Sequence, residues 1–140
     1  MFAKLTSGNI GQYPYTVGDL RRDNPNTSFP RQIPDETLAE YGLVKVKPAD
    51  QPSFDNIVER PKELLPVLIE GEWVQQWSTE LYADASDRAR RHRDNLLSRS
   101  DWTQVSDAPV DKAVWAVYRQ SLRDVPEQEG FPSNIIWPVE

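Results

Sequence analysis

Three features of the 140-residue chain predict an α+β fold. Residues 72–82 alternate one by one as a strand does, residues 83–99 and 110–125 carry helical spacing, and 12 prolines cut the remainder into short pieces. The expected arrangement is a loop-rich N-terminal lobe with a short helix (1–55), a small antiparallel sheet (56–82) and a helical C-terminal region (83–140). That last region holds an Arg-rich helix followed by a Trp-anchored helix.

Taken in order, residues 2–6 alternate weakly and read as a strand. Residues 8–34 are dense in Gly, Asn, Pro and Ser, which predicts loop with at most one short helical turn near 17–22. Residues 34–42 predict a short helix. Asp35 and Glu36 lie in its first turn, Leu38 and Tyr41 share a face, and Gly42 is a left-handed stop. A strand at 43–47 and a polar connection at 48–54 follow. Next comes a three-strand meander, 56–61, 65–70 and 72–82, with a tight turn at Gly71. On its last strand Trp73, Gln75, Trp77, Thr79 and Leu81 share one face, and neither face is uniformly apolar. That mixture suits a thin sheet whose second face meets a partner or the helix.

The helix at 83–99 has Asp84 and Asp87 near its start, with Arg88, Arg90, Arg91, His92, Arg93 and Arg99 beyond them. This order complements the helix dipole. Its apolar stripe is thin (Ala85, Ala89, Leu96, Leu97), so intrahelical ion pairs should support it and it should project or bridge lobes. The last helix is expected to start at Pro109 with Asp107 as its upstream cap. Val110, Val114 and Val117, with Trp115, Tyr118, Leu122 and Val125, give it a broad apolar face that should be well covered. Pro126 ends it.

Composition narrows the function classes. A net charge of −6 works against nucleic acid and anionic membranes. The absence of Cys removes disulfides, thiolate nucleophiles and zinc–cysteine sites. Residues 1–5 lack the apolar core of a signal peptide, and no apolar run approaches membrane-spanning length, so a protein of the cytoplasm is expected. Only 38% of residues are hydrophobic, and five Trp and five Tyr must supply much of the core. Area scaling gives roughly 7,400 Å² of folded surface.

Catalytic signals are weak. His92 is the only histidine and has no G-x-S-x-G elbow or thiol to serve. No pair of carboxylates stands out as a hydrolase site. Asp19, Asp23, Asn24 and Asn26 fail calcium-loop spacing, and Asp23-Asn24-Pro25-Asn26 reads as a turn. No enzyme activity, cofactor or metal is expected. The basic run at 88–93 reads first as a solvated helix face, then as a protein-contact surface, and last as a nucleic-acid site, because acidic residues are interleaved with it. Trp102 and Trp115 are expected in the core. Trp73, Trp77 and Trp137 fit core and interface equally, since aromatics at strand edges and chain ends also make binding hot spots.

Several segments resemble one family. Ser100-Asp101-Trp102-Thr103-Gln104, Asp107-Ala108-Pro109-Val110-Asp111, Gly130-Phe131-Pro132 and Trp137-Pro138 are similar, in this order, to the C-terminal region of phage tail fibre assembly proteins, also called phage tail assembly chaperones. Tyr15-Thr16-Val17, the run 20–30, Ile33-Pro34-Asp35 and Tyr41-Gly42 resemble their N-terminal part, and the G-x-W-x-Q-x-W run at 71–77 is similar to one of their strands. The resemblance implies a chaperone that binds the distal, C-terminal tip of a phage receptor-binding fibre and assists its folding and trimerisation in the host cytoplasm. Retention on the fibre in the virion is compatible with it, as are self-association and a trimeric stoichiometry. The alternative it leaves is a permanent structural or receptor-contacting cap of the fibre. Contacts are expected at Trp73, Gln75, Trp77, Phe131 and Trp137.

Overall fold

Two tight reversals organise the sheet. Ser7 and Gly8 have φ of 52° and 82°, and Glu70 and Gly71 have 49° and 83°. A two-residue loop with both angles positive returns the chain as a hairpin. In the computed structural model, which describes residues 1–140, the first hairpin joins β1 (Phe2–Thr6) to β2 (Asn9–Tyr15). The second joins β4 (Glu59–Ile69) to β5 (Glu72–Leu81). Between them lie α1 (Val17–Asp23), α2 (Asp35–Glu40) and β3 (Leu43–Lys47). After β5 come α3 (Ala85–Arg99), a 3₁₀ turn (Asp101–Gln104), α4 (Lys112–Arg123) and a second 3₁₀ turn (Val125–Glu127).

The class is α+β, as expected, but the sheet is mixed rather than antiparallel. Its order is β2-β1-β3-β5-β4. β1 runs antiparallel to β2 and β3, whereas β3 and β5 are parallel, with Val46 opposite Trp73. The connection from β3 carries β4 to the outer edge, so the returning strand β5 enters beside β3 in the same direction. A crossover of that length is what a parallel pair requires.

Two further corrections concern proline. β2 forms within the expected loop, and Pro14 is harmless there because β2 lies at the sheet edge, where a missing N–H breaks no inner ladder. At the opposite edge, β4 runs through Pro61 and Pro66, so the two strands expected at 56–61 and 65–70 are largely one.

The chain divides into two compact units. The first comprises Met1–Pro52 and Lys62–Ser78. Tyr15, Leu20, Leu38 and Leu43 are buried at its centre, with Phe2, Phe29, Ile33 and Tyr41 packed around them. Thr16 and Asp19 form a reciprocal capping box that starts α1. The Tyr15 hydroxyl donates to Asp23 at 2.7 Å.

The second unit comprises Ser53–Pro61 and Thr79–Glu140. Val58, Ala85 and Ala89 are buried, and Ile57, Phe131, Ile135 and Trp137 pack against them. The ion pairs expected along α3 are present, Asp84 with Arg88 at 2.8 Å and Asp87 with Arg90 at 3.7 Å. The helix does not project, because its alanine face lies in this cluster. α4 begins later than expected. Its cap is Asp111, whose carboxylate accepts from the N–H groups of Ala113 at 3.0 Å and Val114 at 3.3 Å. Asp107 and Pro109 lie before the helix, in a turn where the Val110 N–H bonds to Ala108.

Candidate functional site

Ser100 closes α3 by donating its hydroxyl to the carbonyls of Leu96 and Leu97 at 2.9 and 3.0 Å. The buried Thr103 hydroxyl donates to the Ser100 carbonyl at 2.6 Å, tightening the following turn. From α4, the buried Arg119 guanidinium donates to the Leu97 carbonyl, Ser100 Oγ and Asp101 Oδ1 at 2.6–2.7 Å. Ser100 and Asp101 of the S-D-W-T-Q stretch thus dock α4 on the end of α3, and Thr103 braces Ser100.

Trp102, between Asp101 and Thr103, faces outward. It is 51% exposed, contrary to its expected place in the core, because its neighbours Asp101 and Thr103 take the inward bonds. Trp115, also expected in the core, is half-buried and bridges two rings. Its centroid is 6.0 Å from Trp102 and 5.5 Å from Tyr118, the latter edge-on.

Beside this aromatic ladder, α4 and the C-terminal tail enclose an open groove of about 750 Å³. Val114 and Val117 form one wall and are 59% and 68% exposed, while Ile136 and Val139 line the other. The expected covering of the helix is therefore only partial. Tyr118 and Leu122 take the buried side, and the valines face the open groove. Gln128 fixes the tail wall. Its amide donates to the Ile136 carbonyl at 2.9 Å and accepts from the Ile136 N–H at 2.8 Å, as a neighbouring strand would. Burial, and then the nearby Glu140 charge, raise the Tyr118 pKa, so the phenol at the groove stays neutral.

The residues expected at the partner contact fall in both units. Gln75 is buried, donates to Glu63 and accepts from the Ala49 N–H at 3.2 Å. The Trp77 indole donates to the Ala49 carbonyl at 3.0 Å, and Trp73 is half-buried. In the second unit, Trp137 donates to Asp55 at 2.8 Å and meets His92 edge-on at 4.7 Å. Phe131 packs on the α3 cluster under the Arg90 guanidinium. Gln75, Trp77, Phe131 and Trp137 thus make internal bonds or contacts. The groove valines, Ile136 and Val139 were missed. The signal for the two valines was the breadth of apolar spacing on α4.

No group of three or more His, Asp or Glu side chains is arranged to hold a metal ion. Asp19, Asp23 and Asp84 are held below the usual carboxylate range by bonds from Thr16, Tyr15 and Arg88 respectively. No helix is long and apolar enough to cross a membrane.

Residues 86–140 match the model of the family described as phage tail assembly chaperone protein. The match supports the phage tail assembly chaperone family for this chain. It contains most of α3, the turn that carries Trp102, all of α4 and the groove-lining tail, so the open apolar groove lies wholly within it. The N-terminal stretches that resemble the same proteins lie outside the matched segment. Comparison with curated proteins and with solved structures finds no match.

Proposed function

We propose that this chaperone acts on a tail fibre, holding the distal tip of the receptor-binding chain in the host cytoplasm while three chains trimerise. The observation that carries the reading is the α4–tail groove, an apolar surface left open inside the family-matched segment. Intertwined β structure folds slowly and exposes apolar surface and unpaired edges meanwhile, so a partner that covers them suppresses misassembly. Binding alone shifts that equilibrium toward the protected species. The β5 face that carries Trp73, Gln75 and Trp77 is part of the same proposal as a second contact. Phe131 and Trp137 are further proposed contacts, Trp137 lying between the groove-lining Ile136 and Pro138.

Co-expression with a fibre chain, followed by size exclusion with light scattering, tests the reading. The expected result is a soluble trimeric fibre carrying this protein, and insoluble fibre without it. Val114→Asp/Val117→Asp should weaken association by at least about tenfold, the loss typical of a central hot spot, and thermal unfolding of the variant should be near wild type. Trp73→Ala/Trp77→Ala reports on the β5 face. A fibre that trimerises alone and never binds the protein overturns the proposal. Resistance of the complex to dissociation at high dilution would favour a permanent cap.

A further inference from the structure

The charge of α3 is segregated by face. The helix holds five arginines against two aspartates, in a chain whose net charge is −6. Arg90 pairs with Asp87, and Arg93 with Asp94 at 2.7 Å, so each arginine on those faces has a carboxylate of its own. Arg88, Arg91 and Arg99 differ. Arg88 and Arg91 share the single carboxylate of Asp84, at 2.8 and 3.1 Å, and Arg99 has no ion pair. These three arginines, with Ile57, His92 and Asn95, line one shallow groove of about 540 Å³. The surplus charge therefore lies along a single solvent-facing stripe, with Arg88 and Arg91 three residues apart and Arg99 eight residues further on. Arg88 is already ordered there, its guanidinium 3.8 Å from the Tyr82 ring centroid.

We propose that this stripe docks an extended acidic segment of a partner protein, with two carboxylates four residues apart set against Arg91 and Arg99. The spacing follows from element geometry. Eight residues of helix separate those arginines by about 12 Å along the axis. Four residues of extended chain span about 13 Å, with the intervening same-face side chain opposite Asn95. Arginine's planar fork suits carboxylate pairing, and the apolar Ile57 in the lining gives the peptide stem a surface. A nucleic-acid strand fits less well. Its regularly repeated charges would also meet Asp84, Asp87 and Asp94, and the chain's net charge repels it at long range. This inference goes beyond the fibre reading and does not depend on it.

The test is an amide NMR titration of the full chain with a blocked heptapeptide bearing glutamates at its second and sixth positions. Comparison probes are the same peptide with glutamines there and an oligothymidylate. Shifts confined to residues 88–99 and Ile57 are expected with the glutamate peptide alone, weakening as salt rises over the range where exposed charges are screened. Arg91→Gln/Arg99→Gln should weaken binding about tenfold or more, whereas Arg90→Gln/Arg123→Gln, which removes the same charge elsewhere, should change it less than about twofold. Absent or scattered shifts, equal loss in both variants, equal binding of the glutamine peptide, or tighter binding of the oligonucleotide to the stripe each overturn the proposal.

Discussion

Arg119 is the one charged side chain buried in the chain, and its three acceptors lie at the junction of α3 and α4. Arg119→Met should cost about 2–3 kcal/mol in urea unfolding, because Leu97 and Ser100 lose a charged donor. Asp101→Asn should cost less than about 1 kcal/mol, since that carboxylate is largely exposed. Equal costs would mean that the ion pair, rather than the buried donors, holds the junction. Tyr15 makes a pH-dependent counterpart in the first unit. Burial, and then its bond to Asp23, push its pKa up to about 12, while that bond holds Asp23 low. A raised tyrosine pKa stabilises the fold below its ordinary value near 10 and loses that contribution as pH climbs toward about 12. A lowered aspartate contributes above about pH 4 and loses it as pH falls through the depressed value. Tyr15→Phe should therefore cost about 0.5–1.5 kcal/mol near neutrality and flatten stability at both ends. Parallel stability–pH curves for the two proteins would refute this.

Element boundaries depend on which polar group actually reaches the orphan N–H groups. For α4 that group is Asp111, so Asp111→Ala should cost about 1 kcal/mol, and Asp107→Ala less than about 0.5 kcal/mol, in thermal unfolding. The reverse order would place the start where Pro109 suggests it. The same helix marks what a sequence can and cannot reveal. Its periodicity identified Val114 and Val117 as apolar face, but spacing does not say whether a neighbour exists to cover that face. Proline was misread for a related reason. Pro14, Pro61 and Pro66 argue against inner strands only, and edge position is a property of the whole sheet order. The parallel β3–β5 pair was equally illegible, since it follows from β4 going outermost. By contrast α3, α2, β3, β5 and the Gly71 reversal were legible, because ion-pair spacing, caps, strict alternation and left-handed glycine are local signals. Of the groove, Tyr118 was legible as apolar face and is buried, Trp115 is less covered than its core expectation, and Ile136 and Val139 carry no local signal at all.

At the scale of the whole chain, the two units are interleaved in sequence. Lys62–Ser78 belongs to the first unit and interrupts the second, whose parts are Ser53–Pro61 and Thr79–Glu140. The family-matched segment, 86–140, is thus only part of a folding unit. Its α3 presents two buried alanines, and the larger residue between them is Val58, with Ile57 beside it, both from upstream. Asp55 also accepts the Trp137 indole N–H, tying the tail to the same upstream stretch. Without residues 53–61, Ala85 and Ala89 lose Val58 and Ile57 from their cluster and Trp137 loses its acceptor. The area left to bury is too small to offset the ordering entropy of the tail. A fragment of residues 83–140 should therefore keep part of its helical circular dichroism, supported by the α3 ion pairs, but unfold without a cooperative transition. Its Trp137 indole signal in NMR should sit at the position of an unfolded chain. A fragment of residues 53–140, which restores Asp55, Ile57 and Val58, should regain both the transition and a shifted Trp137 signal. Equal cooperativity in the two fragments would show that α4, the Trp102 turn and the tail build their groove unaided. The expected difference would mean that the groove depends on a loop-and-turn segment lying before the match.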